Sequence, residues 1–453
     1  CEASARLTGG SARHGGWRRG YTRSMTLGVV EFPAPAAWPD SAELPILFLL
    51  DASSGLERRM LVEWIARSAP PGAEYRIVEM PPSRRRRFGR QSVAVSVRHA
   101  LDVPGDHLLT PLRVVWMADP KRRAPRLFDL LTFGDPRDPN RLLQEWIARF
   151  RPERIRVVVG EPAPGSELRR RWSEVRARGS QDPFGFAEYV VLQAGIALER
   201  AERRLRGNRY KVPRFLDAEL LTRGTFRLGL ISLADRTGDS LDDLYRRSGR
   251  YLTEIAATHS PDVIDLLAAL IRVLYTLGYH RRIRYDRDQL EHLAELGQQH
   301  PLVFLPSHKS NLDHLVLMYV LYENGLPPNH TAGGDNMNFF PVGPLIRRAG
   351  VFFIRRSFKD NEPYKFVLKQ YLDYLLSKRF PLEWFIEGGR SRSGKMRAPR
   401  FGMLAYVADS FRRGSCDDVV LIPTAIAYDQ IQDIGAYASE QRGGAKERET
   451  FTW

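Results

Sequence analysis

The chain has 453 residues, too many for one ordinary hydrophobic core, so two or three domains are expected. Its 69 lysines and arginines against 53 acidic residues leave a formal charge of +16, which favours anionic partners: phosphate metabolites, anionic lipid surfaces or nucleic acid. Two cysteines, Cys1 and Cys416, exclude a disulfide framework and a cysteine metal cluster and fit a reducing cytosol, and no run of about eighteen apolar residues marks a spanning helix.

Cys1 to Ser24 are basic and Gly-rich and precede Met25; they read as a disordered extension or as residues upstream of the start, not as a secretory signal. A small α/β domain is expected over 25–165. There apolar strands (Ile46–Leu50, Leu112–Trp116, Arg156–Val159) alternate with amphipathic segments (Leu56–Arg67, Arg141–Phe150). Arg84 to Arg87 read as a solvated loop, because four arginines without interleaved aromatics make a poor nucleic-acid signature. Over 166–280 the periodicity turns helical and highly charged, as in Val190–Arg206 and Leu241–Ala257, and a helical connector is expected. Val263–Tyr279, followed by His280-Arg-Arg-Ile-Arg284, fits an interfacial helix with a basic end and, somewhat better, a core helix capped by cations.

From residue 281 to 453 the strand-then-helix rhythm returns. Leu302–Leu305 precedes a helix over Leu312–Glu323, Val351–Ile354 precedes one over Tyr364–Lys378, and Leu382–Ile386 precedes a Gly-rich turn and a helix over Met403–Arg413. A last strand begins at Val419–Ile422 and runs toward Tyr428. The fold class is therefore α/β: a C-terminal domain with a central mixed sheet flanked by helices, preceded by the small α/β domain and the connector. In open α/β sheets ligands bind beyond the carboxyl ends of the strands, and three polar clusters fall at such ends.

The first is Pro306-Ser-His-Lys-Ser-Asn-Leu-Asp313. On a continuous helix His308 and Asp313 would diverge by about 140°. They meet only if His308 sits on the turn after the strand and Asp313 in the first turn of the helix, an arrangement that Pro306 permits. An imidazole whose tautomer is fixed by a carboxylate suits deprotonation of a hydroxyl. The spacing alone fits as well a surface histidine near a helix start, with the aspartate favouring the dipole. The second cluster is Arg355-Arg356, which fits either phosphate binding or the capping of a sheet edge. The third, Glu387-Gly-Gly-Arg-Ser-Arg392 with Lys395, offers glycines for close backbone approach and guanidinium groups that match phosphate geometry. It is not a Walker loop, since that spacing is absent. Glu387 suits an ion pair with the arginines or a hydrogen bond to a substrate hydroxyl.

Four ordered segments, His308-Lys-Ser-Asn-Leu-Asp313, Gly350-Val-Phe-Phe-Ile-Arg-Arg356, Phe385-Ile-Glu-Gly-Gly-Arg-Ser-Arg392 and Ile422-Pro-Thr-Ala-Ile-Ala-Tyr428, resemble the blocks of the glycerolipid acyltransferases. With Ala332-Gly-Gly-Asp-Asn-Met-Asn-Phe-Phe-Pro-Val-Gly343 they are similar to the membrane-associated glycerol-3-phosphate acyltransferases in particular. The resemblance implies transfer of a fatty acyl group from acyl-CoA or acyl carrier protein to the sn-1 hydroxyl of glycerol 3-phosphate, the first step of phospholipid synthesis. It implies His308 as general base, Asp313 orienting it, Arg355 and Arg356 on the acceptor phosphate, and Glu387, Gly388, Arg390, Ser391, Arg392 and Pro423 shaping the acceptor site. No cofactor or metal is expected. The expected partners are glycerol 3-phosphate, the acyl donor and an anionic membrane surface, without nucleic acid, at the cytoplasmic face of the cell membrane as a peripheral protein.

Thr424 and Ala427 depart from the small apolar residue and serine usual in the last block. Family members also continue beyond the point that aligns with Phe451-Thr-Trp453, so the resemblance implies a fragment. Dihydroxyacetone phosphate is a rival acceptor, and a covalent route through Ser307 or Cys416 lacks the expected nucleophile elbow. A non-enzymatic basic protein binding membrane or nucleic acid is the rival of another class. Leu315, Leu317 and Met318 fit an acyl-tunnel wall and, better, a helix core.

Overall fold

A computed structural model describes residues 37–40, 44–82, 95–117, 139–177, 185–206, 211–213, 215–278, 283–310, 312–340, 342–358, 360–391 and 395–428. The stretches Cys1–Ser24 and Arg84–Arg87, and Arg392, lie outside the described residues. The described strands form two five-stranded sheets.

The first sheet has the order β2 (Tyr75–Glu79), β1 (Ile46–Asp51), β3 (Leu108–Trp116), β4 (Ile155–Val159), with the short β5 (Ala163–Pro164) also on β3. It is mixed: β1 runs parallel to both β2 and β3, whereas β4 and β5 pair antiparallel with β3. Every residue of β1 and β3 is buried, which is why they read as nearly continuous apolar runs. Helices α1 (Gly55–Ser68) and α3 (Arg141–Phe150) share one core with one face, through Met60, Leu61, Trp64 and Ile147. Both start on a side-chain cap: Ser54 accepts from Glu57 N and Asn140 from Leu143 N, each satisfying an amide the first turn leaves open. On the other face lie α2 (Val95–Leu101), α4 (Gly165–Ala177) and α5 (Phe186–Arg206).

The stretch expected as a separate connector is thus divided between two cores. Leu168, Val190 and Leu198 of α4 and α5 pack against Leu47, Leu49 and Leu109 of the first sheet. Glu202 of α5 also reaches the fully buried Arg113 of β3, which donates to it at 2.8 Å and to Asp51 at 2.7 Å. Such a charge is tolerable inside only because both carboxylates meet it. By contrast α6 (Leu216–Leu221), α7 (Gly224–Thr237) and α8 (Leu241–Ile255) join the core of the second sheet.

That second sheet has the order β10 (Val420–Thr424), β6 (Leu302–Pro306), β9 (Leu382–Glu383), β7 (His330–Gly334), β8 (Val351–Ile354). All four of its pairings are parallel, so the mixed character belongs to the first sheet. After α9 (Pro261–Gly278) and α10 (Arg287–Gln299), the crossovers run through α11 (Asp313–Glu323), α12 (Val342–Ala349), α13 (Glu362–Ser377) and α14 (Gly402–Arg412). The alternation along β6 shows the two layers: Val303 faces α13 and its cluster, while Leu302 and Phe304 face α10 and α11. Helix α13 is the most enclosed, with Val367, Leu368, Tyr371, Leu372 and Leu375 all at 0% exposure. Side chains of that size are worth about 1.5–3 kcal/mol each in transfer free energy, so this helix anchors the layer.

Helix α9 packs Ile264, Leu267, Ala268 and Ile271 against Met318, Tyr322 and Ala349, while Leu270 and Val273 are exposed; residues 279–282, which open the basic end, lie outside the described residues. Leu317 and Met318 are likewise core residues, and Leu315 is partly buried beside them. Among the described residues no helix is long and apolar enough to cross a membrane.

Candidate active site

Because all five strands run the same way, their carboxyl ends line one edge, and His308 leaves the edge directly after β6. Pro306 closes the strand, Ser307 N is held by Thr424 O at 2.9 Å, and the helix begins at Asp313. With His308 after the strand and Asp313 at the start of the helix, the pair meets as the spacing required: His308 Nδ1 lies 3.2 Å from Asp313 Oδ2. The same oxygen accepts Lys309 N at 2.6 Å and Ser310 N at 2.9 Å, so one carboxylate both organises the turn and orients the imidazole. The second carboxylate oxygen accepts Tyr428 Oη at 2.7 Å.

Asp313 is 1% exposed. Burial works to raise its pKa, but the donors His308, Ser310 N, Tyr428 and Lys309 N outweigh it and hold the carboxyl below the usual aspartate value. It is therefore ionised near neutrality and can only accept, which puts the proton on Nδ1 and leaves the Nε2 lone pair to face outward. The imidazole also stacks on Phe385, with ring centroids 3.8 Å apart and planes 17° apart. The ring is thus fixed in plane and in tautomer, as a positioned base requires.

Phe385 comes from the chain just past β9. The strand expected over Leu382–Ile386 pairs only at Leu382–Glu383, because the following residues bend around His308. Glu387, 2% exposed, accepts His308 N at 3.1 Å and Arg397 N at 2.7 Å, and Ser391 N returns a bond to His308 O at 2.7 Å. Ser391 Oγ donates to Lys395 O. Both side chains thereby hold backbone, and among the described residues Glu387 makes no ion pair with an arginine. Gly388 has φ +65°, and a Cβ there would lie 2.6 Å from Arg400 Cδ; at Gly389 it would lie 2.9 Å from Arg397 Nη1. At Gly388 the left-handed backbone and the close pass of Arg400 both favour glycine, whereas at Gly389 the near atom is the movable tip of Arg397. Both arginines are exposed, Arg390 is half-buried in the same turn, and Pro423 lies on β10, an edge strand where a missing amide is harmless.

The two arginines that close β8 part company. Arg355 forms a bidentate ion pair with Glu254 of α8, Nε to Oε1 at 2.6 Å and Nη2 to Oε2 at 2.7 Å, and its guanidinium lies against the rings of Tyr251 and Tyr364. In this structure the fork expected to meet the phosphate is filled by the Glu254 carboxylate. Arg356 is exposed and makes no ion pair among the described residues. Since β8 lies three strands from β6 in the sheet, the two strand ends are separated by about 14 Å.

Sequence reasoning missed several residues of this region. Tyr428 was visible only as the end of a block. His314 and Glu383 form a second imidazole–carboxylate pair at 3.1 Å, with Asn329 and Thr331 donating to the other Glu383 oxygen at 2.9 and 3.2 Å. Burial lowers the pKa of His314, but Glu383 raises it more. A glutamate inside an otherwise apolar strand was the available signal for that pair. Arg397 and Arg400 continue the basic spacing that was followed only to Lys395.

Neither alternative nucleophile is activated. Ser307 Oγ is buried without a partner among the described residues. The Cys416 thiol is pushed up by burial and by Asp417, Asp418 and Asp373, away from the reactive thiolate. Among the described residues no group of three or more His, Cys, Asp or Glu side chains is placed to hold a metal ion.

Residues 285–427 match the family model described as Acyltransferase. Over 233 residues the chain is 36% identical to a protein of Aeromonas hydrophila subsp. hydrophila named glycerol-3-phosphate acyltransferase, a match covering 51% of this chain and 29% of that relative. The chain spans less than a third of the relative's length. His308, Asp313, Glu387 and Arg390 all lie inside the segment that matches this family model.

Proposed function

We propose that this domain transfers a fatty acyl group from a thioester donor, acyl-CoA or acyl carrier protein, to the sn-1 hydroxyl of glycerol 3-phosphate, giving 1-acyl-glycerol 3-phosphate, the first step of phospholipid synthesis. The observation that carries the reading is the His308–Asp313 dyad, 3.2 Å apart and clasped by the Glu387 turn at the carboxyl edge of a parallel sheet. In the reaction Nε2 of His308 takes the hydroxyl proton as that oxygen attacks the thioester carbonyl. The carbon–sulfur bond breaks, and the departing thiolate recovers the proton from the imidazolium, whose charge Asp313 stabilises meanwhile. Arg356 and Arg390 are the proposed holders of the acceptor phosphate, with Arg397 and Arg400 adding positive potential at the same turn. Peripheral attachment to the cytoplasmic face of an anionic membrane is in keeping with a net charge of +16 and a lipid product.

The test is His308→Ala assayed with labelled glycerol 3-phosphate and palmitoyl-CoA, scoring label in the organic phase. Loss of about 10³-fold or more in kcat with an unchanged melting temperature is expected. Near-wild-type transfer by the folded variant would remove the base from the mechanism, and transfer to dihydroxyacetone phosphate in preference to glycerol 3-phosphate would change the acceptor.

A further inference from the structure

We propose that Tyr428 is a positioning residue for the dyad, holding the Asp313 carboxylate in the plane that presents Oδ2 to His308; this rests on the acyl-transfer reading above. Asp313 and Tyr428 are 115 residues apart, and their meeting is built by the sheet. Strand β10 pairs in parallel with β6 from Val420↔Leu302 to Thr424↔Pro306, and Thr424 O then accepts Ser307 N. Ile422 within the strand and Ile426 beyond it pack on the core formed by Leu302, Phe304, Leu317 and Val320. The chain beyond the strand is thereby laid across the start of α11, and the Tyr428 hydroxyl reaches Asp313 Oδ1 at 2.7 Å.

The division of donors between the two carboxylate oxygens gives this bond its consequence. Oδ2 accepts three donors, His308 Nδ1 and the amides of Lys309 and Ser310, whereas among the described residues Tyr428 supplies the one donor to Oδ1. With both oxygens held, the carboxylate cannot turn about its last side-chain torsion. Released at Oδ1, the plane is restrained from one oxygen alone, and a buried charged oxygen is left without this partner. The Tyr428 hydroxyl is given to Asp313, and its effect on the chemistry passes through that carboxylate. The covalent step is the one already written, with no added proton or electron.

The experiment compares Tyr428→Phe, His308→Ala and the double variant, with two readouts. In the transfer assay Tyr428→Phe is expected to lose about 10- to 100-fold in kcat, the range of a hydrogen bond to a charged group, with KM for glycerol 3-phosphate and acyl-CoA within about twofold. In the His308→Ala background the same change is expected to add nothing, because no imidazole remains to be positioned. The second readout needs no substrate: in protein labelled with ¹⁵N-histidine, the Nδ1–H signal assigned to His308 by its loss in His308→Ala is expected to broaden or move in Tyr428→Phe. An unchanged Nδ1–H signal together with a kcat within twofold of wild type overturns the proposal, as does a full additional loss in the double variant. If instead His308→Ala leaves transfer intact, the acyl-transfer mechanism falls, while the Nδ1–H signal still decides whether Tyr428 orders the pair.

Discussion

Asp313→Asn isolates the charge of the dyad from its geometry. Oδ2 faces three donors and Oδ1 faces a hydroxyl that can turn round and accept, so an asparagine placed here keeps its oxygen toward His308 and the two amides and its NH2 toward Tyr428. The turn and the tautomer are therefore preserved, and what disappears is the negative charge 3.2 Å from Nδ1. At an effective dielectric constant near 20, a unit pair at that separation is worth about 5 kcal/mol. The four donors already spread the carboxylate charge, so about 3–4 kcal/mol is expected to remain as stabilisation of the imidazolium in the transition state. That corresponds to a loss of a few hundredfold in kcat. Initial rates with labelled glycerol 3-phosphate and palmitoyl-CoA, with the far-UV melting curve as a control for folding, measure it. A folded Asp313→Asn within about fivefold of wild type would show that the carboxylate only organises the turn, and the electrostatic argument would fall.

The two arginines at the end of β8 are expected to separate in the same assay. Arg356→Ala should raise KM for glycerol 3-phosphate about tenfold or more, whereas Arg355→Lys and Glu254→Gln should each lower the melting temperature and combine non-additively, because they break one bidentate pair. Equal KM effects from Arg355→Lys and Arg356→Ala would return Arg355 to the substrate. His330 governs a pH effect. It is fully buried with neither ring nitrogen bonded among the described residues, and burial, His259 and Lys211 hold its pKa well below the ordinary imidazole value. Below about pH 6.5 the unfolded chain takes up a proton that the folded chain refuses, so stability falls as pH falls, by up to about 1.4 kcal/mol per pH unit. His330→Leu should flatten the melting temperature between pH 7 and pH 5, and parallel curves for variant and wild type would count against the assignment. His314, whose pKa is raised, has the opposite sign: its contribution is full below about pH 6.5 and fades as pH rises through its folded value.

The elements around the site were legible because each rests on local periodicity. Leu302–Leu305, Val351–Ile354 and the helices expected over 312–323, 364–378 and 403–413 recur within two residues of their expected ends. The turn between Pro306 and Asp313 was legible for a different reason: on any continuous helix the pair could not meet. Strand order was not, since nothing local places β9 between β6 and β7 or sends β10 to the outer side of β6. For the same reason the partners that decide individual roles were hidden. Glu254 lies 101 residues from Arg355, Tyr428 lies 115 from Asp313, and Glu387 lies 79 from His308. A residue's chemistry can be read from its type, but whether a guanidinium is available depends on a carboxylate that only the tertiary fold brings to it.

That dependence reshapes the proposed acceptor site. Taken as a doublet, Arg355 and Arg356 suggest one strong clamp, yet the bidentate ion pair with Glu254 and the rings of Tyr251 and Tyr364 make Arg355 part of the wall that joins α8 to β8. Arg356 then projects from the edge strand about 14 Å from the strand that carries His308, and β9 and β7 lie between them. The chain leaving β9 enters the Gly388–Gly389 turn, so Arg390, with Arg397 and Arg400 close to the glycines, belongs to a turn bonded to the backbone of His308. A phosphate held by Arg356 and Arg390 together, as proposed, would draw on cations from two different strand ends. On this reading the glycines act on the acceptor indirectly. They let arginine side chains approach a turn whose backbone is fixed to His308 by Glu387 and Ser391, so the distance between phosphate and base is set by one continuous set of hydrogen bonds.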